Sequence, residues 1–254
     1  MLEGKEFNTS RYSIGELMEY LVLDTETGGL ESEIYSLLSF AFIRCTAFYQ
    51  PLGEPLHIHV KQDNFVVNTK AMEVNQLDLR ESGSWATKDA AITAMFKFLD
   101  YPDDYGDDVK YKDAKALYKL CGSNIAFDIG FLKKFLGESL YSRMFHYKAE
   151  EVTSAFSHLQ RTGVVPPNPG LKLFEMAEAL ELNVDNTKFH DALYDAEVTR
   201  AVARELYHRS KVLAFAFDEM LARYGGDPRA IIKCFKSKNS KKKLKSLKTK
   251  KAGK

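Results

Sequence analysis

The sequence predicts an α/β protein built on a mixed β-sheet, on three observations. Short apolar runs punctuated by turn residues fill the first sixty positions, strand and helix patterns alternate in the middle, and helical periodicity dominates beyond residue 150. Strands followed by strand–helix alternation is the order expected of a sheet that mixes antiparallel and parallel pairs. At 254 residues and 45% hydrophobic, the chain is long enough for one large core.

Residues 1–17 read as a polar extension, with a short helical pattern over 14–18. Tyr20-Leu21-Val22-Leu23 reads as a buried strand ending at Asp24, and residues 37–46 form a second, rich in aromatic and aliphatic side chains. The turn Pro51-Leu52-Gly53-Glu54-Pro55 precedes a third strand over 56–60, so the first three form an antiparallel meander. Ala91, Ile92, Met95, Phe96 and Leu99 recur at helical spacing, predicting a helix over 87–99. The acidic stretch 103–108 lacks the order of a calcium loop and reads as solvated. A short strand over 117–121 leads into a helix over 128–136, and further helices are expected over 152–160 and 171–180. A long helix starts near Asp191 with Val198, Val202 and Leu206 on one stripe, and its pattern extends through Phe215 and Phe217. Asp227-Pro228 caps a last short helix. In domain terms this is a body over 18–209, a helical extension over 210–235 and a tail over 236–254.

The formal net charge of +1 conceals two opposed regions. Ten of the 36 basic residues fall between Lys236 and Lys254 with no acid among them, leaving 26 basic against 35 acidic groups on residues 1–235, a net of −9. Lys241, Lys242, Lys243 and Lys245 form the densest part of a tail too polar to build a core, and they suit contact with a nucleic-acid backbone. No apolar run approaches the length of a membrane helix, and the first residues lack the apolar stretch of a leader. Cys45, Cys121 and Cys234 stand far apart, which suits a reducing, cytoplasmic setting.

Chemistry enters at Asp24-Thr25-Glu26, where alternation along a strand points both carboxylates to one side. Asp128 follows at a strand-to-helix turn, and Asp195 shares an inward helix face with Val198 and Val202, five residues after His190. An inward carboxylate without a basic neighbour calls for a cation. Four carboxylates and one imidazole match a site for two divalent ions, since hard cations prefer oxygen ligands and a pair can serve both oxygens of a phosphodiester displacement. A neutral imidazole beside them can take a proton from the attacking water.

Asp24-Thr25-Glu26-Thr27-Gly28-Gly29-Leu30, Asn124-Ile125-Ala126-Phe127-Asp128 and His190-Asp191-Ala192-Leu193-Tyr194-Asp195 resemble, in order and spacing, the three motifs of the DEDDh exonucleases. That family includes the proofreading subunit of bacterial DNA polymerase III, ribonuclease T and oligoribonuclease. The resemblance covers residues 18–209 and implies a ribonuclease H-like mixed sheet with helices on both faces. It implies that Asp24, Glu26, Asp128 and Asp195 bind two divalent ions, Mg²⁺ or Mn²⁺, with Asp24 between them and His190 as general base. It further implies that Thr27, Gly28 and Gly29 hold the terminal nucleotide, whose base packs on Leu30, with Asn75 and Asn124 as further substrate contacts. The reaction implied is stepwise 3′→5′ hydrolysis to nucleoside 5′-monophosphates, on nucleic acid with a free 3′ end, single-stranded DNA favoured. RNA trimming and a polymerase-accessory binding role are the alternatives, and a replication or repair complex and a homodimer are the partners left open.

The chain departs from the family pattern twice. Gly28 stands where a threonine is common, which suggests a looser grip on the 3′ end, and Ser123 stands where a histidine often precedes the asparagine. Three other features carry bland readings: His57 and His59 as a solvated strand face rather than a metal pair, Trp85 as packing at a helix entry, and Phe215-Ala216-Phe217 as core or a dimer face.

Overall fold

A computed structural model of the chain describes residues 20–101, 118–167 and 170–223. The expectations for residues 1–17, the acidic stretch 103–108, the helix after Asp227 and the basic tail lie outside the described residues. The chain divides into two compact units, Met1–Tyr207 and His208–Lys254.

Among the described residues of the first unit, five strands form one sheet in the order β3-β2-β1-β4-β5. Strand β1 (Tyr20–Thr27) is central, pairing antiparallel with β2 (Leu37–Cys45) and parallel with β4 (Lys119–Gly122). Its Leu21, Val22 and Leu23 are fully buried, as a strand covered on both faces requires. Strand β3 (Leu56–His59) completes the antiparallel meander, and β5 (Glu150–Glu151) adds a short parallel edge. β1 runs past the expected end at Asp24 to Thr27, because Thr25 and Glu26 find partners in Phe40 and Ser39, and the register shifts only between Glu26 and Thr27. Asp24 and Glu26 carry little β-propensity and break the apolar run, so the partner strand reveals the extension.

Two apolar layers sandwich the sheet. On one face Leu21, Leu23, Phe40 and Phe42 pack with Met95 of α2 (Lys88–Phe98), Phe131 and Leu132 of α3 (Ile125–Leu136) and Met144 of α4 (Glu138–Met144). On the other, Val22, Ala41 and Ile43 pack with Phe156 of α5 (Val152–Arg161), Met176 of α6 (Leu173–Ala179) and Val198 and Val202 of α7 (Ala192–Arg223). Thr87 caps α2 by accepting from the Ala90 N–H, at the expected entry.

Four elements went unread in the sequence, among them a 3₁₀ helix (Leu79–Ser84) that buries no residue. Helix α1 (Thr69–Asn75) is short and buries only Asn75, so it carries no apolar stripe. Helix α4 turns Tyr141 and Met144 inward from a single turn's spacing. β5 consists of two glutamates, which local preference would exclude from a strand. Helix α3 begins at Ile125, three residues before the expected start, so Asp128 closes its first turn rather than opening the helix. Its cap explains the difference. The Glu151 carboxylate accepts from the N–H groups of Asn124 (3.0 Å) and Ile125 (2.9 Å), a partner 27 residues away in sequence.

The described residues of the second unit, 208–223, are helical, with Phe215 68% and Phe217 42% exposed rather than in a core. No helix among the described residues is long and apolar enough to cross a membrane.

Candidate active site

Side chains in register across paired strands share a face. Asp24 therefore lies on the α7 side of the sheet with its partner Ala41, and Glu26 with Ser39. Asp195, in the first turn of α7, is 8% exposed and faces the same side. The entry to α7 is tied down locally: Asp191 Oδ1 accepts from the Tyr194 N–H at 2.9 Å, and Asp195 Oδ2 accepts from the His190 N–H at 3.1 Å. His190 itself adopts a left-handed backbone, φ 70°, a conformation non-glycine residues keep where the surroundings enforce it. The result is one cluster in which ligand atoms of Glu26, His190 and Asp195 all lie within 4.8 Å of one another.

Asp24 and Asp128 stand outside that trio but within its field. Asp128 reaches the end of β1 from α3, 4% exposed, its Oδ1 accepting from the Thr25 hydroxyl at 2.7 Å. Burial first, then the charges of Asp128, Asp195 and Glu26, holds the Asp24 carboxyl well above the usual carboxylate range. Burial and the neighbouring acids, Asp195 foremost, push Glu26 to about 9. Burial likewise lifts Asp128 to about 7, against the Thr25 hydroxyl, and Asp195 to about 7, against the His190 N–H. Four carboxylates this crowded call for a cation to compensate them.

Whether divalent ions fit is answered by the donors. Among the described residues Asp195 Oδ1 is buried with no hydrogen-bond partner, an orphan that a bound cation would satisfy. Oxygen donors with one imidazole at their edge are the set that hard divalent ions take. The residues fit such ions.

The loop after β1 corrects one expectation. Gly28 and Gly29 are buried and packed tight: a Cβ at Gly28 would stand 2.4 Å from the Val66 carbonyl oxygen, and one at Gly29 2.3 Å from the Tyr35 ring. The pair tightens the loop instead of loosening it. Its backbone is also engaged, the Gly28 N–H with Ser36 O at 2.8 Å and the Gly28 carbonyl with the Asn68 N–H at 2.7 Å. The Thr27 hydroxyl donates to the Gly29 carbonyl at 2.8 Å. Leu30, 77% exposed, is what this loop presents to solvent.

Asn75 is buried, its Nδ2 donating to the Thr27 carbonyl at 3.1 Å and its Oδ1 accepting from the Leu77 N–H, so it braces the loop from behind. Asn124 takes a left-handed backbone, φ 61°, at the N-cap of α3, where its side chain makes no capping bond. The four tail lysines lie outside the described residues. Sequence reasoning overlooked Thr25, Glu151 and Asp191. All three act through partners, and only Asp191, as a cap three residues before Tyr194, left a local signal.

The sequence matches no protein-family model and no curated protein. Among solved structures, the chain is similar to exonuclease I. Escherichia coli exonuclease I in complex with a dT13 oligonucleotide aligns with a TM-score of 0.60 at 18% identity, covering 79% of this chain and 43% of that one. The zinc-bound form of the E. coli enzyme with single-stranded DNA gives 0.60 at 17% identity, with the same coverage. The moderately thermophilic exonuclease I of Methylocaldum szegediense gives 0.61 at 20% identity, again over 79% and 43%. The chain thus spans less than half the length of the exonuclease I chains it matches, and the likeness is one of fold: a ribonuclease H-like α/β sheet.

Proposed function

We propose that this chain is a metal-dependent 3′→5′ exonuclease that removes nucleoside 5′-monophosphates from single-stranded DNA. The observation that carries the reading is the meeting of Glu26, His190 and Asp195 beside Asp24 and the buried Asp128, on a fold like that of exonuclease I. Asp24, Glu26, Asp128 and Asp195 would hold two divalent ions, with Mg²⁺ or Mn²⁺ the natural choice for an oxygen-rich set. When bound, such ions supply charge stabilisation for the attacking and leaving oxygens and make water a better nucleophile.

The chain's own residues do the rest. His190, exposed at the rim, takes the proton of the attacking water, and the His190 N–H bond to Asp195 sets where the imidazole starts from. Leu30 offers an apolar surface to the terminal base, and the tight Gly28-Gly29 turn fixes where Leu30 stands. DNA is favoured because the similar exonuclease I structures hold dT13 and dA16 oligonucleotides.

Digestion of a 5′-labelled oligonucleotide in Mg²⁺ tests the reading, with matched DNA, RNA and duplex in parallel. A ladder shortening from the 3′ end on single-stranded DNA, absent with chelator and with Asp24→Asn, is the expected result. Wild-type turnover in Asp24→Asn would end the assignment, and faster loss of RNA would move it to an exoribonuclease.

A further inference from the structure

One row of side chains crosses the sheet from the carboxylates to its edge. Glu26 of β1 is in register with Ser39 of β2, and Ser39 with His59 of β3. Beyond β3, Ala86 bridges Val60 in parallel and donates its N–H to the His59 carbonyl at 3.0 Å, which brings Trp85 alongside His59. The His59 and Trp85 rings stand 5.3 Å apart, Phe65 meets Trp85 edge-on at 5.8 Å, and His57 lies 4.7 Å from His59 on the same face. With strands roughly 4.8 Å apart, His59 is about 10 Å from Glu26. Two polar atoms along this strip are buried and unpartnered among the described residues: the hydroxyl of Ser39, itself 1% exposed, and Nε2 of His57.

Beyond Glu26, nothing in the cleavage chemistry uses this strip. Its composition is aromatic rings with unsatisfied hydrogen-bonding atoms beside them, which suits a nucleobase. Burial lowers both imidazoles from the usual histidine range, against the nearby Asp191, so neither supplies the fixed positive charge a phosphate would select.

We infer that His59 and Trp85 form a base-stacking subsite for the nucleotide 5′ of the one being removed, so that the strand leaves the active site over β2 and β3 toward the sheet edge. The inference rests on the exonuclease reading. Stacking on an aromatic platform tolerates any base, as stepwise trimming of arbitrary sequence demands. Phe65 braces the Trp85 ring from its edge, which leaves the platform rigid.

Trp85 is the chain's single tryptophan, so its emission reports on this subsite alone. The full-length protein is titrated, in Ca²⁺ to slow turnover, with thymidine 5′-monophosphate and with a ten-nucleotide oligothymidylate, binding being followed in parallel by calorimetry. The oligonucleotide is expected to quench the emission and the mononucleotide to leave it unchanged. His59→Ala is expected to weaken oligonucleotide binding by about 5- to 150-fold, with mononucleotide affinity retained as the sign of an intact fold. Calorimetric binding of the oligonucleotide with silent tryptophan, or equal quenching by the mononucleotide, overturns the subsite and leaves the nuclease reading standing. An equal loss of affinity for both ligands in His59→Ala also overturns it. Failure of the oligonucleotide to bind or be cleaved overturns both.

Discussion

At the scale of single residues, the crowded carboxylates cost the metal-free fold stability. Burial holds Asp24, Glu26, Asp128 and Asp195 above the ordinary carboxylate range, and the charges of Asp128 and Asp195 raise Asp24 and Glu26 further. Replacing Asp195 by Asn removes one member of that crowd. The expected outcome is a metal-free protein whose melting temperature rises by a few degrees, roughly 2–4 °C per kcal/mol of repulsion relieved, with hydrolysis lost. Thermal denaturation in chelator, beside the oligonucleotide digest, checks both halves. His190 stands at the rim and donates only its backbone to Asp195. His190→Ala should lower kcat by about 10²- to 10⁴-fold, the usual worth of a general base, while metal affinity measured by calorimetry changes little. An unaltered kcat would remove the imidazole from proton transfer.

Whole elements are aligned by contacts that reach far along the chain. Helix α3 carries Asp128, yet its N-terminus is fastened by Glu151 of β5, which also accepts from the Thr153 N–H. Glu151→Ala leaves those donors without their charged acceptor. It should cost about 1–2 kcal/mol of stability and weaken metal binding through a displaced Asp128, a pairing that melting curves and metal titrations would resolve. The β1–β2 loop makes a similar case. A methyl group at Gly29 meets the Tyr35 ring, so Gly29→Ala should destabilise by about 1–3 kcal/mol, the cost of overpacking. Leu30→Ala, at an exposed position, should leave the melting temperature unchanged and raise KM.

For the whole molecule, the charge distribution predicts how stability and binding respond to solution conditions. Unfolded carboxylates ionise near 4, whereas folded Asp128 and Asp195 hold their protons to about 7 and Glu26 to about 9. Between those limits the folded state binds more protons than the unfolded one, so metal-free stability is full below pH 4 and falls as pH rises toward 9. Divalent ions compensate the ionised form, so their stabilisation should grow over the same range and be accompanied by proton release. Melting curves from pH 5 to 9, with and without Mg²⁺, show this as two diverging lines; parallel lines would contradict it. The tail opposes the −9 carried by residues 1–235. Removing residues 236–254 should flatten the salt dependence of single-strand binding by about 0.7 log units per lost phosphate contact and raise KM while sparing kcat. An unchanged slope would reduce the tail to a solubilising role.

By itself, the sequence determined the α/β class, the antiparallel meander, the strand–helix alternation and the five residues of the candidate site. Each of these is written in local terms. Apolar period sets the element, strand alternation puts Asp24 and Glu26 on one face, and helical period turns Asp195 inward beside Val198 and Val202. What the tertiary structure alone decided depends on partners distant in sequence. Pairing with β2 carried β1 on to Thr27, the Glu151 carboxylate moved the start of α3 to Ile125, and Asn75 became the brace of a loop 48 residues away. The strip from Glu26 to Trp85 belongs to the same kind. Its four members lie on separate segments, and strand register, a property of the folded sheet, is what sets them in a row.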